Sequence, residues 1–168
     1  MKISREADGL HLEFTAEEAG LMTVLAHQFA DVVRNPEVDD APLLAALFPD
    51  AYRDDAEAAS EFHHYTRADL EHRKIEAAES IAGTAQEGLV VLDADAVATW
   101  VRALTAIRTM IATRLGIGVG AHPGSGLGAD LGASDGSGEE EPPAGVLRDI
   151  YEWLGELQWV LVDSLDAS

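Results

Sequence analysis

Val97, Trp100, Val101, Leu104, Ile107, Ile111 and Leu115 fall at helical intervals, so a single helix carries an apolar face about five turns long. A face of that length has to be covered by other elements, which restricts the chain to folds that pack around this helix. Asp93 stands where its N-cap would be.

The remaining segments supply the cover. Pro142 and Pro143 open a last helix in which Leu147, Ile150, Tyr151, Leu154, Leu157, Leu161 and Leu165 share a face, with Trp153 and Trp159 at or beyond its edge. Thr15 and Glu18 form a capping box ahead of Leu21, Met22, Leu25, Phe29, Val32 and Val33, and this helix runs to Asn35-Pro36. Pro42 begins a short amphipathic turn holding Leu43, Leu44, Leu47 and Phe48, which Pro49 ends.

Asp54 or Asp55 then caps a long helix with Phe62, Tyr65, Leu70, Ala77, Ala78 and Ile81, stopping at Gly83. Its interrupted, alanine-rich stripe predicts close approach to its neighbours, with Leu44, Phe48, Tyr52, Phe62 and Leu70 pinning the short helix onto the long one. Ile3 and the alternating Leu10, Leu12 and Phe14 flank Ala7-Asp8-Gly9, the pattern of a hairpin. Gly88–Leu92 reads as a short strand or an extended lead-in.

The expected fold is all-α: a single domain of about five helices with a small N-terminal β element, centred on the Trp100 and Leu154 helices. At 168 residues, such a domain buries about 68 to 70% of the surface its unfolded chain exposes. Residues 116 to 145 hold 10 of the 15 glycines. The expected organisation is therefore one helical domain over 1–115 and 143–168, with a flexible, acidic, glycine-rich loop over 116–142. The GIGVGAHPGSGLG run within it has no following lysine and no strand-to-helix frame, so it does not read as a phosphate-binding loop.

Charge narrows the partners. Eleven Lys and Arg against 31 Asp and Glu give a net charge of -20, which repels phosphates and anionic lipids and attracts basic proteins. No direct contact with nucleic acid or membrane is expected. The absence of a signal-peptide pattern and of any run near the ~20 apolar residues of a membrane span makes a cytoplasmic location the expectation. With no cysteine, disulfides, thiolate metal sites and thiol switches are excluded.

Residues that could carry chemistry do not assemble into a motif. His63, His64 and His72 share the long helix, yet no two of them lie three or four residues apart as ligands on one face must; His72 with Glu76 or Asp69 is the best pair. No nucleophile elbow surrounds any serine. Neither catalytic residues, metal nor cofactor are expected, and the protein reads as non-enzymatic. Arg67, Arg73 and Lys74 form a basic patch whose simplest explanation is intrahelical pairing, such as Asp69 with Arg73. Arg102, Arg108 and Arg114 recur at i+6 and so point to different sides of their helix.

The segment LLAALFPDAYRDDAEAASEFHHYTRADLEHRKIEAA, together with WVRALTAIRTMIATRLGI, YEWLGELQWVLVDSL and the N-terminal LHLEFTAEEAGLMTVL, resembles a family of actinobacterial proteins. That family is described as a domain of unknown function and is also named for AosR-like oxidative stress regulators. The resemblance covers nearly everything outside the glycine-rich stretch. It implies a cytoplasmic regulator of the oxidative stress response that acts through transcription machinery by contacting a sigma factor. The regulators' oxidised-cysteine signal has no counterpart in this chain, and His63 stands where the family has arginine after the Glu-Phe pair.

The favoured reading is thus a regulator that works by protein contact, with a basic partner and with Arg67, Arg73, Lys74 and His63 as candidate contact residues. An enzyme or small-ligand binder with a pocket between helices is the rival, and a structural homodimer the third reading. A gel-shift assay at physiological salt is expected to show no tight DNA binding; a nanomolar, sequence-selective shift would overturn that expectation.

Overall fold

A computed structural model describes residues 1–48, 56–117 and 142–166; the side chains of 56–65 lie outside that description, as does most of the expected 116–142 loop. In chain order the elements are β1 (Lys2–Glu6), β2 (Gly9–Phe14), α1 (Ala16–Arg34), a 3-10 turn (Val38–Asp40), α2 (Ala41–Leu47), α3 (Ala56–Thr84), β3 (Gly88–Leu92), α4 (Ala94–Arg114) and α5 (Ala144–Asp166). Among the described residues no helix is long and apolar enough to cross a membrane.

The protein is mostly helical, but the β element is larger than an N-terminal hairpin. Gly88–Leu92 is a strand, and it pairs antiparallel with β2 to give a three-stranded sheet in the order β1-β2-β3. The physical reason is that a hairpin leaves one edge of β2 with unpaired amides and carbonyls, which β3 satisfies. The register, with Leu10 opposite Leu92 and Leu12 opposite Val90, puts the buried side chains of both strands on one face. At the hairpin, Gly9 has φ of +144°, and a Cβ there would stand 2.5 Å from the carbonyl oxygen of Leu92, so only glycine suits the position.

The expected caps at Thr15 and Asp93 operate as read, whereas Asp54, Asp55 and Pro49 lie outside the described residues. Thr15 Oγ1 accepts from the Glu18 amide at 3.2 Å while the Thr15 amide donates to Glu18 Oε2 at 2.9 Å, closing the capping box of α1. Asp93 Oδ1 accepts from the Ala96 amide at 2.8 Å and caps α4. At the other end of α4, Gly116 takes φ of +68°, the Gly116 amide donates to the Thr113 carbonyl, and the Ile117 amide donates to that of Ala112. This is a Schellman arrangement, which absorbs the last free carbonyls of the helix.

Helix α4 is the hub: it contacts α1, α2, α3, α5 and β3, whereas α5 packs chiefly along α4. The centre expected to be shared by two helices therefore belongs to α4, because only one face of α5 is apolar and its other face carries Glu152, Glu156 and the 69% exposed Trp159. Trp100 is completely buried, stacks on Phe14 with ring centroids 6.1 Å apart, and donates its indole N–H to Thr84 Oγ1 at 3.2 Å. Leu70, expected to pack, is 39% exposed. Among the described side chains of α3, the buried ones are Ala77, Ala78 and Ile81, two turns and more beyond Leu70. Tyr52 and Phe62, expected beside it, lie outside the described side chains.

Trp100→Ala is expected to destabilise the protein by about 3 to 5 kcal/mol, the usual range for removing a fully buried aromatic. Urea unfolding would measure it, and a loss below about 1 kcal/mol would contradict the central role of this ring.

Candidate functional site

Helices α3 and α4 lie side by side but do not close against each other along their whole length. Between them runs an open groove of about 690 Å³. Its α3 wall is Leu70, Arg73, Lys74, Glu76 and Ala77, and its α4 wall is Thr99, Val101, Arg102 and Thr105. Ala77, a short side chain, is the buried residue of the α3 wall.

The charged residues of the groove differ in how they are engaged. Arg73 Nη2 bonds Asp69 Oδ2 at 2.7 Å, the intrahelical pair anticipated from the spacing, and both side chains are largely exposed. Glu76, on the α3 wall, has its Oε1 3.2 Å from His72 Nε2. Arg102 Nη2 donates to Thr99 Oγ1 at 3.0 Å. The Lys74 ammonium lies 5.9 Å from the centroid of the Phe48 ring, and burial lowers its pKa from the ordinary lysine value. Neither Lys74 nor Arg102 has a carboxylate partner among the described residues.

The four candidate contact residues therefore divide. Arg73 and Lys74 come together on the groove. Arg67 does not: its guanidinium lies 5.1 Å from the Phe48 ring and its Nε donates to Glu71 Oε1 at 2.9 Å, so it helps to hold the end of α2 against α3. The side chain of His63 lies outside the described residues. Among the described residues no group of three His, Asp or Glu side chains is placed to hold a metal ion.

The arginines of α4 separate as their spacing requires. Arg102 faces the groove, Arg114 faces Asp39 and Asp40 near the 3-10 turn, and Arg108 faces α5. There Arg108 stacks 4.4 Å from the Tyr151 ring centroid and its Nη1 donates to Gln158 Oε1 at 2.7 Å, while Gln158 Nε2 donates to Thr105 Oγ1, also at 2.7 Å. Gly155 makes room for this guanidinium, since a Cβ there would come within 3.1 Å of Nη2.

Sequence reasoning missed the α4 wall, having assigned Val101 to the buried stripe and read Arg102, Arg108 and Arg114 only as pointing to different sides of their helix. The signal that could have found it was the alanine-rich stripe of α3, which leaves large α4 side chains without matching bulk opposite them.

A family model described as Domain of unknown function (DUF2017) matches residues 1–165. The chain belongs to this family. Neither the curated proteins nor the solved structures include a match to it.

In this DUF2017 member, lysine occurs only at positions 2 and 74, which makes the groove amine easy to observe. Burial disfavours the charged form, so after reductive methylation the Lys74 resonance is expected to titrate below the ordinary lysine value of about 10.4. Lys2→Arg assigns the signal by leaving one lysine resonance beside that of the Met1 amine, and a midpoint at or above the ordinary value would contradict the burial of Lys74.

Proposed function

We propose that this DUF2017 protein is a non-enzymatic regulator that works by binding another protein, with the α3–α4 groove as its contact site. The observation that carries the reading is the combination of exposed Leu70 with Lys74 and Arg102, two cations without a carboxylate partner among the described residues, in a chain of 31 acids. The lining offers apolar contact and positive charge rather than a nucleophile set beside a base, which favours recognition over chemistry.

The resemblance to AosR-like oxidative stress regulators extends this proposal to a cytoplasmic protein acting through transcription machinery, with a sigma factor as the class of partner. The charge of -20 supports a partner that is basic overall, because it raises the encounter rate with such proteins. With no cysteine in the chain, a redox signal would have to reach it through that partner.

A homodimer through α5 is the second reading, favoured by Trp159 at 69% exposure and Val162 at 40% one turn further on. Glu152 and Glu156 share that side of α5, and an isologous pair of α5 faces would bring four carboxylates together, so this reading ranks below the first.

A photo-crosslinking residue placed at Leu70 or Val101 is expected to yield a discrete adduct with a different protein in cells, and Lys74→Glu with Arg102→Glu should reduce it about tenfold or more, a loss of about 1.4 kcal/mol or more. Adducts only between copies of this chain would favour the homodimer; no adduct at either position would sink the groove as the contact site.

A further inference from the structure

The proposed contact site can be given a partner chemistry. In a chain where acids outnumber bases by 31 to 11, cations have carboxylates to spare, and several of the described ones use them. Lys2 pairs with Glu13, Arg5 with Asp163, Arg34 with Glu79, Arg67 with Glu71 and Arg73 with Asp69. Lys74 and Arg102 have no carboxylate partner among the described residues, which is also true of Arg108 and Arg148, but Lys74 and Arg102 line the same groove.

Between and beside these cations lie Leu70, Ala77 and Val101, with Leu70 exposed to solvent. From Leu70 to Ala77 the helix rises about 10 Å, two turns. Such a surface matches one side of an amphipathic helix, which reads as anchors at i, i+3 or i+4, and i+7. Two unneutralised cations flanking an apolar strip call for carboxylates on the helix that fills it, because like charges brought together there would each lose hydration without gaining a partner.

We propose that the α3–α4 groove receives an acidic amphipathic helix of a partner protein, its apolar side seated on Leu70, Ala77 and Val101 and its carboxylates paired with Lys74 and Arg102, with Arg73 at the rim. The inference rests on the protein-contact reading above. It is compatible with a partner that is basic overall. Steering follows the charge summed over the whole surface, and at physiological salt that field is screened beyond about 8 Å, whereas docking follows the charges within hydrogen-bond reach. A nucleic acid would use the cations but leave the apolar strip uncovered, and it would meet the repulsion of the remaining surface.

The test is selection from a displayed library of helical peptides with leucine fixed at i, i+3, i+4 and i+7 and every other position free. The full chain is the bait and its R73E/K74E/R102E variant the counter-bait. Aspartate and glutamate are expected to enrich at the free positions beside the leucines, and enriched peptides should bind the variant at least tenfold more weakly in fluorescence anisotropy. Because three reversals could disturb folding, K74Q/R102Q, with an unchanged thermal melt, is measured alongside and should weaken binding in the same direction.

Enrichment of lysine and arginine would overturn the proposal. So would peptides that bind wild type and both variants alike, or no enrichment over the counter-bait. A heterologous crosslink at Leu70 together with basic peptides would leave the protein-contact reading standing while removing the acidic occupant; loss of both the crosslink and the selection would remove both.

Discussion

The indole of Trp100 joins the two kinds of secondary structure in this fold. Its ring is wholly buried and stacked on Phe14 from the sheet, and its N–H is bonded to Thr84 at the end of α3. A buried indole N–H without an acceptor would cost about 1 to 3 kcal/mol, so the Thr84 hydroxyl is what allows so large a ring to sit at the centre. The chain after Thr84 must then turn back, and it does so through β3, whose pairing with β2 returns it to Asp93 and the start of α4. Sheet, α3 and α4 thus meet at one side chain.

The parts of the fold that were legible in the sequence are those fixed by local chemistry. Thr15 with Glu18, Asp93, and the break at Asn35-Pro36 act on their own backbone neighbours, so the signals do not depend on the rest of the molecule. The alternation of Leu10, Leu12 and Phe14 identified a strand in the same way. What was not legible depends on partners distant in sequence. Gly88–Leu92 is too short for periodicity to decide, and its identity as a strand comes from the free edge of β2, far earlier in the chain at every paired position from Leu10 with Leu92 to Phe14 with Gly88. Leu70 looked like a packing residue because composition shows apolarity but not what lies opposite. The candidate site was half legible: Arg73 and Lys74 stood out as bases among acids, while Val101 and Arg102 join them only once α3 and α4 are placed side by side.

Charge and packing act together in the groove. Along α3 itself the excess of acid engages Arg67 with Glu71 and Arg73 with Asp69. Lys74 lies between two surroundings, its ammonium near the Phe48 ring and its stem on the groove wall, so it gives up hydration without a carboxylate in return. A partially buried cation with no counter-charge is an unfavourable arrangement for the isolated protein, and it becomes favourable only where a carboxylate is supplied from outside.

The seam between α4 and α5 has a different character, and its polar contacts determine alignment. Leu154, Leu157 and Leu161 provide the burial there, but leucines on a helix face accept more than one offset against a neighbour. Gln158 touches both Thr105 and Arg108, Arg108 also stacks on Tyr151, and Gly155 leaves the gap through which the guanidinium reaches. Sliding α5 by a single turn, about 5.4 Å, would break every one of these contacts at once and drive a side chain into the guanidinium. These residues together work as a key that admits one register, so α5, although it joins the chain only after the long glycine-rich stretch, has one seat on the core.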